Sequence, residues 1–156
     1  MTDDYNVYGD DHPTRFHLAI PAGNLKEALK FYCDILGCKK GNSEFSYPDA
    51  WVDINFWGNE LTLHATDPNK KNIGERHNVD MGNVSVPHFG VHLEPDTFQK
   101  LKERLIKNNI KFLDPPYTRF EGDEREQETM FIEDPNGNCM EIKTMKNPQS
   151  LFKKTS

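Results

Sequence analysis

The sequence lacks any apolar run near the roughly 18 residues that a helix needs to cross a bilayer. Its N-terminal stretch also lacks the basic and apolar regions of a secretory signal, so we expect a cytoplasmic protein with no membrane partner. Basic residues are fewer than acidic residues, and the formal net charge is -6 at pH 7. Nucleic-acid binders need a basic face that displaces counterions from phosphates, so we expect no nucleic-acid partner and favour a small molecule.

Cysteine is scarce as well. Cys33, Cys38 and Cys139 are odd in number, and their spacing matches neither a CxxC zinc knuckle nor a disulfide framework. We therefore expect free thiols. Strand alternation places Cys139 on the same face as Glu141.

What the chain does contain is a repeat within a single folded domain. Its 156 residues include ten Phe, five Tyr and two Trp, which is too much aromatic content for a disordered chain. We assign the domain to residues 15–144, between an N-terminal extension, 1–14, and a C-terminal tail, 145–156. A strand followed by a helix occurs twice and divides the domain into modules 15–66 and 84–144.

Each module begins with a short apolar strand that carries an early histidine, His17 or His88, and these lie 71 residues apart. Each module ends in two strand-like segments that turn at a Gly-Asn, at residues 58–59 and 137–138, which are 79 residues apart. The second module is therefore longer by eight residues. We place the extra length in the polar segment 117–128 and predict a loop there, which is a candidate lid.

The helix boundaries follow from capping residues. In the first helix Asn24 is the predicted N-cap and Gly37 the C-terminal stop. In the second helix Pro95 lies in the first turn, and the helix is predicted to end near Asn108 and Asn109.

Alternation sorts the strand residues onto two faces. The face predicted to pack under the helices is wholly apolar and comprises Phe16, Leu18, Ile20, Val52, Ile54, Phe56, Leu61, Leu63, Phe89, Val91, Leu93, Met130, Ile132, Met140 and Ile142. The opposite face mixes aromatic, polar and metal-ligand types and comprises His17, Trp51, Asp53, Asn55, Trp57, Thr62, His64, His88, His92, Thr129, Phe131, Glu133 and Glu141. This mixture predicts a concave, partly dry pocket.

A single histidine on a sheet is more often a half-buried structural residue than a ligand. Three features favour the ligand interpretation for one trio. His17 and His88 occupy equivalent positions in the two modules, Glu141 lies on a matching strand face, and all three converge if the modules pair about a pseudo-twofold axis.

Three motifs resemble the vicinal oxygen chelate superfamily, which includes glyoxalase I, extradiol dioxygenases, fosfomycin-resistance transferases and bleomycin-binding proteins. They are His17, the segment 87–90 and the turn 134–138 that precedes Glu141, within a match over residues 15–143. The resemblance implies an α+β fold in which two βαβββ modules form a cupped, barrel-like mixed sheet.

The resemblance also implies one divalent metal ion in the cup, bound by His17, His88 and Glu141. Modules of this superfamily pair within one chain or across a dimer, and we expect a homodimer. Glyoxalase I usually has a second carboxylate in its first module, and here Thr62 takes that position. About three coordination positions then stay open, which favours Fe(II), with Mn(II), Zn(II) or Ni(II) as alternatives.

Extradiol dioxygenases use such an open site and place an acid-base histidine where this chain has His64. They also carry a tyrosine ten residues before the ligand glutamate, whereas this chain has Phe131, which cannot donate a proton. The residues predicted to bind substrate are Trp51, Asn55, Trp57, His92, Phe131 and Arg119.

Three functions fit the resemblance. The first is an extradiol-type dioxygenase that oxidises a small aromatic or vicinal-oxygen substrate. The second is a metal-dependent isomerase, lyase or thiol transferase of the glyoxalase or fosfomycin-resistance type, which needs no redox change. The third is a metal-free binding protein of the bleomycin type. Metal content, thiol dependence and oxygen uptake discriminate among them.

Overall fold

A computed structural model describes residues 14–46, 48–79 and 82–153. Apart from residue 14, the predicted N-terminal extension lies outside the described residues. The elements in chain order are β1 (His17–Gly23), α1 (Leu25–Leu29), a π-helical segment (Lys30–Ile35), β2 (Lys39–Glu44), β3 (Trp51–Phe56), β4 (Asn59–Ala65), β5 (Glu75–Val79), β6 (Gly82–Val86), β7 (Phe89–His92), α2 (Pro95–Lys107), β8 (Phe112–Arg119), β9 (Gln127–Glu133), β10 (Cys139–Met145) and a short 3-10 helix (Pro148–Ser150).

The first module is a four-stranded sheet, in the order β1-β4-β3-β2, with one helix packed on it. The helix has the predicted caps: the Asn24 side-chain oxygen accepts the Glu27 N–H at 3.1 Å, and Gly37 takes a φ of 82°. Between the caps the helix changes from α1 to the π-helical segment, which buries Phe31 and Tyr32. The predicted single α-helix is thus an α-helix followed by a π-helix.

The second module repeats this plan with the strand order β7-β10-β9-β8. Its helix α2 begins and ends where predicted, and Asn109, just beyond it, has a φ of 56°. The apolar face of α2 buries Phe98, Leu101 and Leu105. The two modules therefore share their order of strands and helices.

The strand register confirms the repeat alignment. In the first module β1 runs parallel to β4 and pairs Leu18 with Leu61, and in the second β7 runs parallel to β10 and pairs Phe89 with Met140. Leu18 and Phe89 are 71 residues apart, and Leu61 and Met140 are 79 apart. These are the spacings found between the two histidines and between the two Gly-Asn turns. One step further along, Thr62 and Glu141 occupy equivalent positions.

The modules form two separate sheets, and neither closes into a barrel within one chain. Among the described strands, β1 and β7 each lie at an edge of a sheet, so one hydrogen-bonding edge of each is unused by its own sheet. One apolar core, which includes residues of both helices and both sheets, joins the modules. The α+β class and the two βαβββ modules are confirmed. In the described parts of the chain, no helix is long and apolar enough to cross a membrane.

Four strands have no clear pattern in the sequence. β2 is polar and largely exposed, and β5 and β6 form a separate two-stranded hairpin. β8 contains Pro115 and Pro116, which an edge strand tolerates because one row of its N–H groups is not needed for pairing. Since β8 extends to Arg119 and β9 begins at Gln127, the predicted loop 117–128 shortens to residues 120–126.

Two aromatic residues lie elsewhere than predicted. Phe16, expected in the core, precedes β1 and is 66% exposed, where it lines a groove with Leu18 and Phe89. Trp57, expected on the pocket face, lies in the turn after β3 with a φ of 47° and packs edge-on against Phe56. Both residues are outside the strands, so strand alternation does not determine where their side chains lie.

A buried hydrogen-bond network links the modules. The Tyr32 hydroxyl donates to the Asp134 carboxylate at 2.8 Å, and the side-chain amides of Asn136 and Asn138 donate to the Pro21 carbonyl at 2.7 and 2.8 Å. Burial raises the pKa of the Asp134 carboxyl and raises the pKa of the Tyr32 hydroxyl well above its usual range. The network holds the turn before β10 against the first module and so positions β10.

Candidate functional site

The second module brings two of the three predicted ligands into contact. His88 lies just before β7, and Glu141 lies on β10. The distance from His88 Nε2 to Glu141 Oε2 is 3.1 Å. The Glu141 side chain is 9% exposed and that of His88 is 21% exposed, so the pair is shielded from most of the solvent.

Two neighbouring groups orient this pair. His88 Nδ1 lies 2.8 Å from the Ser85 carbonyl oxygen, which can only accept, so Nδ1 carries a proton. The Thr129 hydroxyl donates to Glu141 Oε1 at 2.8 Å. With these atoms engaged, His88 Nε2 and Glu141 Oε2 face each other.

The facing atoms are of the types that bind a cation. A neutral imidazole protonated at Nδ1 presents a lone pair at Nε2, and a carboxylate oxygen also presents lone pairs. At 3.1 Å these atoms repel unless a second proton or a metal ion lies between them. Imidazole nitrogen and carboxylate oxygen are both ligands of divalent metals, so the donor set of His88 and Glu141 fits part of a metal site.

Phe131 lies beneath the pair and supports it. Its side chain is fully buried, and the Phe131 ring packs edge-on with that of His88 at 5.2 Å between centroids. Val84 of β6 packs against Phe131 and Cys139. The sequence predicts that Phe131 lines the substrate pocket, and the structure buries it against the β5–β6 hairpin and in contact with the His88 ring. All three cysteines are free thiols, as predicted.

Gly90 allows β7 to approach β10 closely beside Glu141. A Cβ atom added to Gly90 would lie 1.6 Å from the Glu141 carbonyl oxygen, which is far inside van der Waals contact. The Glu141 backbone would have to move to accommodate any side chain at this position. The absence of a side chain at residue 90 is therefore a condition for the present arrangement of His88 and Glu141.

His17, the third predicted ligand, lies away from this pair. It is at the start of β1, its side chain is 55% exposed, and its Nδ1 lies 2.5 Å from Glu60 Oε1. Within residues 14–46, 48–79 and 82–153, no three His, Cys, Asp or Glu side chains of one chain are placed to hold a metal ion. One chain thus presents two of the predicted ligands in the second module and the third in the first.

The other residues predicted to act in the site lie mostly in the first sheet. His64, the expected acid-base residue, is exposed on β4 opposite Trp51 of β3. The Asn55 side chain accepts the Gly58 N–H at 2.7 Å and so supports the turn after β3. Arg119 ends β8, with its guanidinium 5.0 Å from the centre of a neighbouring phenyl ring.

His92 is the predicted pocket residue that does lie beside the pair. It is in register with Lys143 of β10. His88, His92, Glu141 and Lys143 line the same open depression, which has a volume of about 200 Å³. Lys143 Nζ lies 3.3 Å from Glu141 Oε1. Burial of the ring, and then the charge of Lys143, lower the pKa of His92.

Sequence reasoning assigned no role to three residues that shape the site. Lys143 follows Glu141 by two positions and so shares its face of β10, and Thr129 lies on the same face of β9. Alternation contained enough information to identify both. Ser85 contributes its backbone carbonyl, and the polar hairpin that carries it has no pattern that predicts this contact.

The chain matches the family model described as Glyoxalase/Bleomycin resistance protein/Dioxygenase superfamily over residues 14–142. It is 33% identical to a glyoxalase/bleomycin resistance protein/dioxygenase from Alicyclobacillus acidocaldarius of known crystal structure. That match has a TM-score of 0.69 and covers 90% of this chain and 97% of the other.

A metallothiol transferase and a fosfomycin-resistance protein are also similar. The metallothiol transferase FosB of Lysinibacillus sphaericus is 28% identical over 131 residues, which cover 82% of this chain and 79% of FosB. An E126Q mutant of FosX from Listeria monocytogenes, in complex with Mn(II) and 1S,2S-dihydroxypropylphosphonic acid, has the same fold, with a TM-score of 0.64 at 14% identity. The FosX match covers 89% of this chain and 97% of FosX.

Proposed function

The chain belongs to the Glyoxalase/Bleomycin resistance protein/Dioxygenase superfamily, and from this premise we propose that it is a metal-dependent transferase acting on a small molecule. His88 and Glu141 of one chain, together with His17 of a second copy, hold a divalent ion. When bound, the ion supplies Lewis-acid polarisation of a substrate oxygen. The observation that carries the proposal is the 3.1 Å distance between two atoms of metal-ligand type, His88 Nε2 and Glu141 Oε2.

A second copy of the chain supplies the missing ligand in this proposal. The side chain of His17 is 55% exposed, and β1, which His17 begins, has an unused edge. Phe16, Leu18 and Phe89 line a groove beside β1 and β7. A homodimer that covered this groove would bury Phe16 and hold His17 at the interface. Two-fold dimers place the same patch of each subunit at the contact, so each dimer would contain two equivalent sites.

Two observations favour a transferase over the dioxygenase that the sequence favours. Phe131 has no proton to donate, and it is covered by the β5–β6 hairpin. FosB, which is 28% identical, is named a metallothiol transferase. We therefore propose that the second substrate is a thiol, and that no oxygen is consumed.

The side chains around the ligands prepare the site for this reaction. Ser85 fixes the tautomer of His88 that presents Nε2, and Thr129 fixes the orientation of the Glu141 carboxylate. Thr62 stands where the first module would have an equivalent carboxylate, and its hydroxyl donates to Asp53 at 2.7 Å. The protein then offers three ligands, which leaves coordination positions for a substrate.

A complementation experiment tests both the ligand set and its distribution over two chains. His17→Ala and Glu141→Gln are purified separately, and Mn(II) binding is measured by calorimetry for each variant and for an equimolar mixture after subunit exchange. We expect wild type to bind one Mn(II) per chain, and each variant to bind at least about tenfold more weakly because one of three ligands is lost. A mixed dimer regains one intact site, since one chain supplies His17 and the other supplies His88 and Glu141.

The outcomes separate the alternatives. A mixture that binds no better than its components would show that the three residues do not form a site across two chains. Wild type that binds a small molecule but no divalent ion would support the metal-free binding function. Oxygen uptake with catechols by the Fe(II)-loaded protein would restore the dioxygenase hypothesis, whereas transfer of a thiol to a small electrophile without oxygen uptake would support the transferase.

A further inference from the structure

We propose that Lys143 binds an anionic group of the substrate, so that the site accepts small acids in preference to neutral molecules. The inference rests on the proposed function, because it concerns the side chain next to the Glu141 ligand. It adds a residue to the site that neither the repeat nor the ligand pattern indicated. His92, in register with Lys143 on β7, is the second group that the anion would contact.

The placement of Lys143 is the first argument. Its Nζ lies 3.3 Å from Glu141 Oε1, and its side chain is 25% exposed. Glu141 Oε1 also accepts the hydroxyl of Thr129 at 2.8 Å, so Lys143 is not needed to satisfy that oxygen. The Lys143 ammonium therefore lies next to the Glu141 carboxylate and also lines the open depression.

The charge at this place is the second argument. A lysine ammonium next to a carboxylate is favourable when the carboxylate carries the full negative charge. If a divalent cation were bound to that carboxylate, its charge and the nearby ammonium would repel each other in a partly desolvated site. An anion that contacts both cations removes this repulsion. A substrate with an acidic group supplies such an anion at the time when it is needed.

The lining of the depression is the third argument. Of its seven lining residues, Glu141 alone is acidic, so the lining has no second carboxylate to neutralise Lys143 when Glu141 binds metal. His92 is available as a neutral hydrogen-bond donor, because burial and the charge of Lys143 lower its pKa. One ammonium and one imidazole N–H on neighbouring strands form a suitable contact for a carboxylate or phosphonate group.

A purely structural role for Lys143 predicts a different result. If the lysine only neutralises Glu141 in the metal-free protein, then its loss changes metal affinity but does not alter the response to an added anion. If Lys143 binds the anion, the affinities for metal and anion are coupled through it. The measurement that separates these roles is the effect of an anion on metal affinity.

The experiment measures the Mn(II) dissociation constant by calorimetry with methylphosphonate, with acetate, with the uncharged dimethyl methylphosphonate, and without additive. Four proteins are compared: wild type, Lys143→Met, Lys143→Arg and Lys146→Met. Lys146→Met is the matched control, because it removes the same charge just beyond the end of the same strand, where Lys146 pairs with Glu126. No catalytic assay is required.

We expect methylphosphonate to tighten Mn(II) binding to wild type on the order of tenfold, with a smaller effect of acetate and none of the uncharged ester. Lys143→Arg and Lys146→Met should retain this effect. Lys143→Met should bind Mn(II) more tightly than wild type without additive, and methylphosphonate should change its affinity by less than about twofold.

Each other outcome decides against the proposal. An unaltered methylphosphonate effect in Lys143→Met would assign the anion to another residue. Wild type that binds Mn(II) equally well with and without methylphosphonate would refute the anion site and leave the proposed metal site intact. Wild type that binds no Mn(II) would refute the proposed function, and the role of Lys143 with it.

Discussion

Each module has a histidine at the same position relative to its first strand, and the two histidines differ in exposure and in their contacts. His17 is 55% exposed and contacts Glu60, which is itself 53% exposed. His88 is 21% exposed, donates to the Ser85 carbonyl and faces the buried Glu141. An exposed pair gains little from its contact, whereas a buried pair must be satisfied by a proton or a cation. Within one chain the same position is thus exposed in one module and largely shielded in the other.

The modules differ in the residues that pair between their two parallel strands. The first module pairs Ala19 with Thr62, and the second pairs Gly90 with Glu141. Thr62 donates its hydroxyl to Asp53, so its position is satisfied without a ligand. The comparison indicates that the two modules share one scaffold, and that a few differences on matching strands determine which module carries the buried contact between His88 and Glu141. Three experiments test this view, starting with the largest expected effect.

The largest effect is expected at the glycine of the second module. Gly90→Ala places a Cβ atom 1.6 Å from the Glu141 carbonyl oxygen, so β7 and β10 must separate. We expect the free energy of unfolding, measured with urea, to fall by more than about 2 kcal/mol. Since β7 follows directly on His88 and β10 carries Glu141, the affinity for Mn(II) should fall as well.

Ala19→Gly is the matched control, because Ala19 occupies the equivalent ladder position in the first module. It removes a side chain where the second module has none, and we expect a loss of only about 0.5–1 kcal/mol from strand flexibility. Equal effects of the two substitutions would show that the modules do not differ in how closely their paired strands approach.

A smaller effect is expected when the missing carboxylate is restored to the first module. Thr62→Glu would place a second carboxylate beside Asp53, whose Oδ1 now accepts the Thr62 hydroxyl at 2.7 Å. Residue 62 is 8% exposed, so the repulsion is poorly screened. We expect the free energy of unfolding to fall by about 1–3 kcal/mol at pH 7.

The double variant with Asp53→Asn tests the cause of this loss. Removing the Asp53 charge should recover part of the stability, which appears as a coupling energy in a double-mutant cycle. A Thr62→Glu variant as stable as wild type would mean that Asp53 does not oppose a ligand at position 62. The asymmetry of the modules would then need another physical explanation.

Much of this comparison could be predicted from the sequence, because it depends on periodic patterns. Alternation and the two Gly-Asn turns identified the final strand pairs, and capping residues such as Asn24 and Gly37 bounded the first helix. The register of Thr62 and Glu141 followed from the repeat alignment. These features are local or repeated, so one sequence is sufficient to find them.

The rest depends on contacts that leave no periodic pattern. The β5–β6 hairpin is polar, yet it supplies the Ser85 carbonyl and covers Phe131. His17 and Glu141 lie in separate sheets of the chain. The placement of the two sheets depends on how both modules pack on one core. Alternation also fails beyond strand ends, as Phe16 and Trp57 show. Tertiary packing decides such features, and propensity does not.

The smallest expected effect concerns the link between the second and third strands of each module. The link between β8 and β9 is held by Arg125, whose guanidinium donates to both carboxylate oxygens of Asp123. In the first module the link after β2 is held by uncharged donors, since Glu44 accepts hydrogen bonds from the backbone and side chain of Ser46. The second link should therefore respond more strongly to the removal of one charge.

The hydrogen bonds and charge of Arg125 lower the pKa of Asp123 to about 2. Because this pKa lies below the ordinary value of about 3.9, ionised Asp123 favours the folded state above about pH 4, and the contribution is lost as the pH falls towards 2. The carboxyl is fully exposed, so we expect a titration shift and little change in stability.

Carboxyl carbon shifts measured by NMR should show Asp123 titrating near pH 2 in wild type and closer to its ordinary value in Arg125→Gln. The control Lys146→Gln, which removes a charge beside Glu126, should leave Asp123 unchanged. An ordinary pKa for Asp123 in wild type would mean that the pair does not order this link, and that the link is no better fixed than the one after β2.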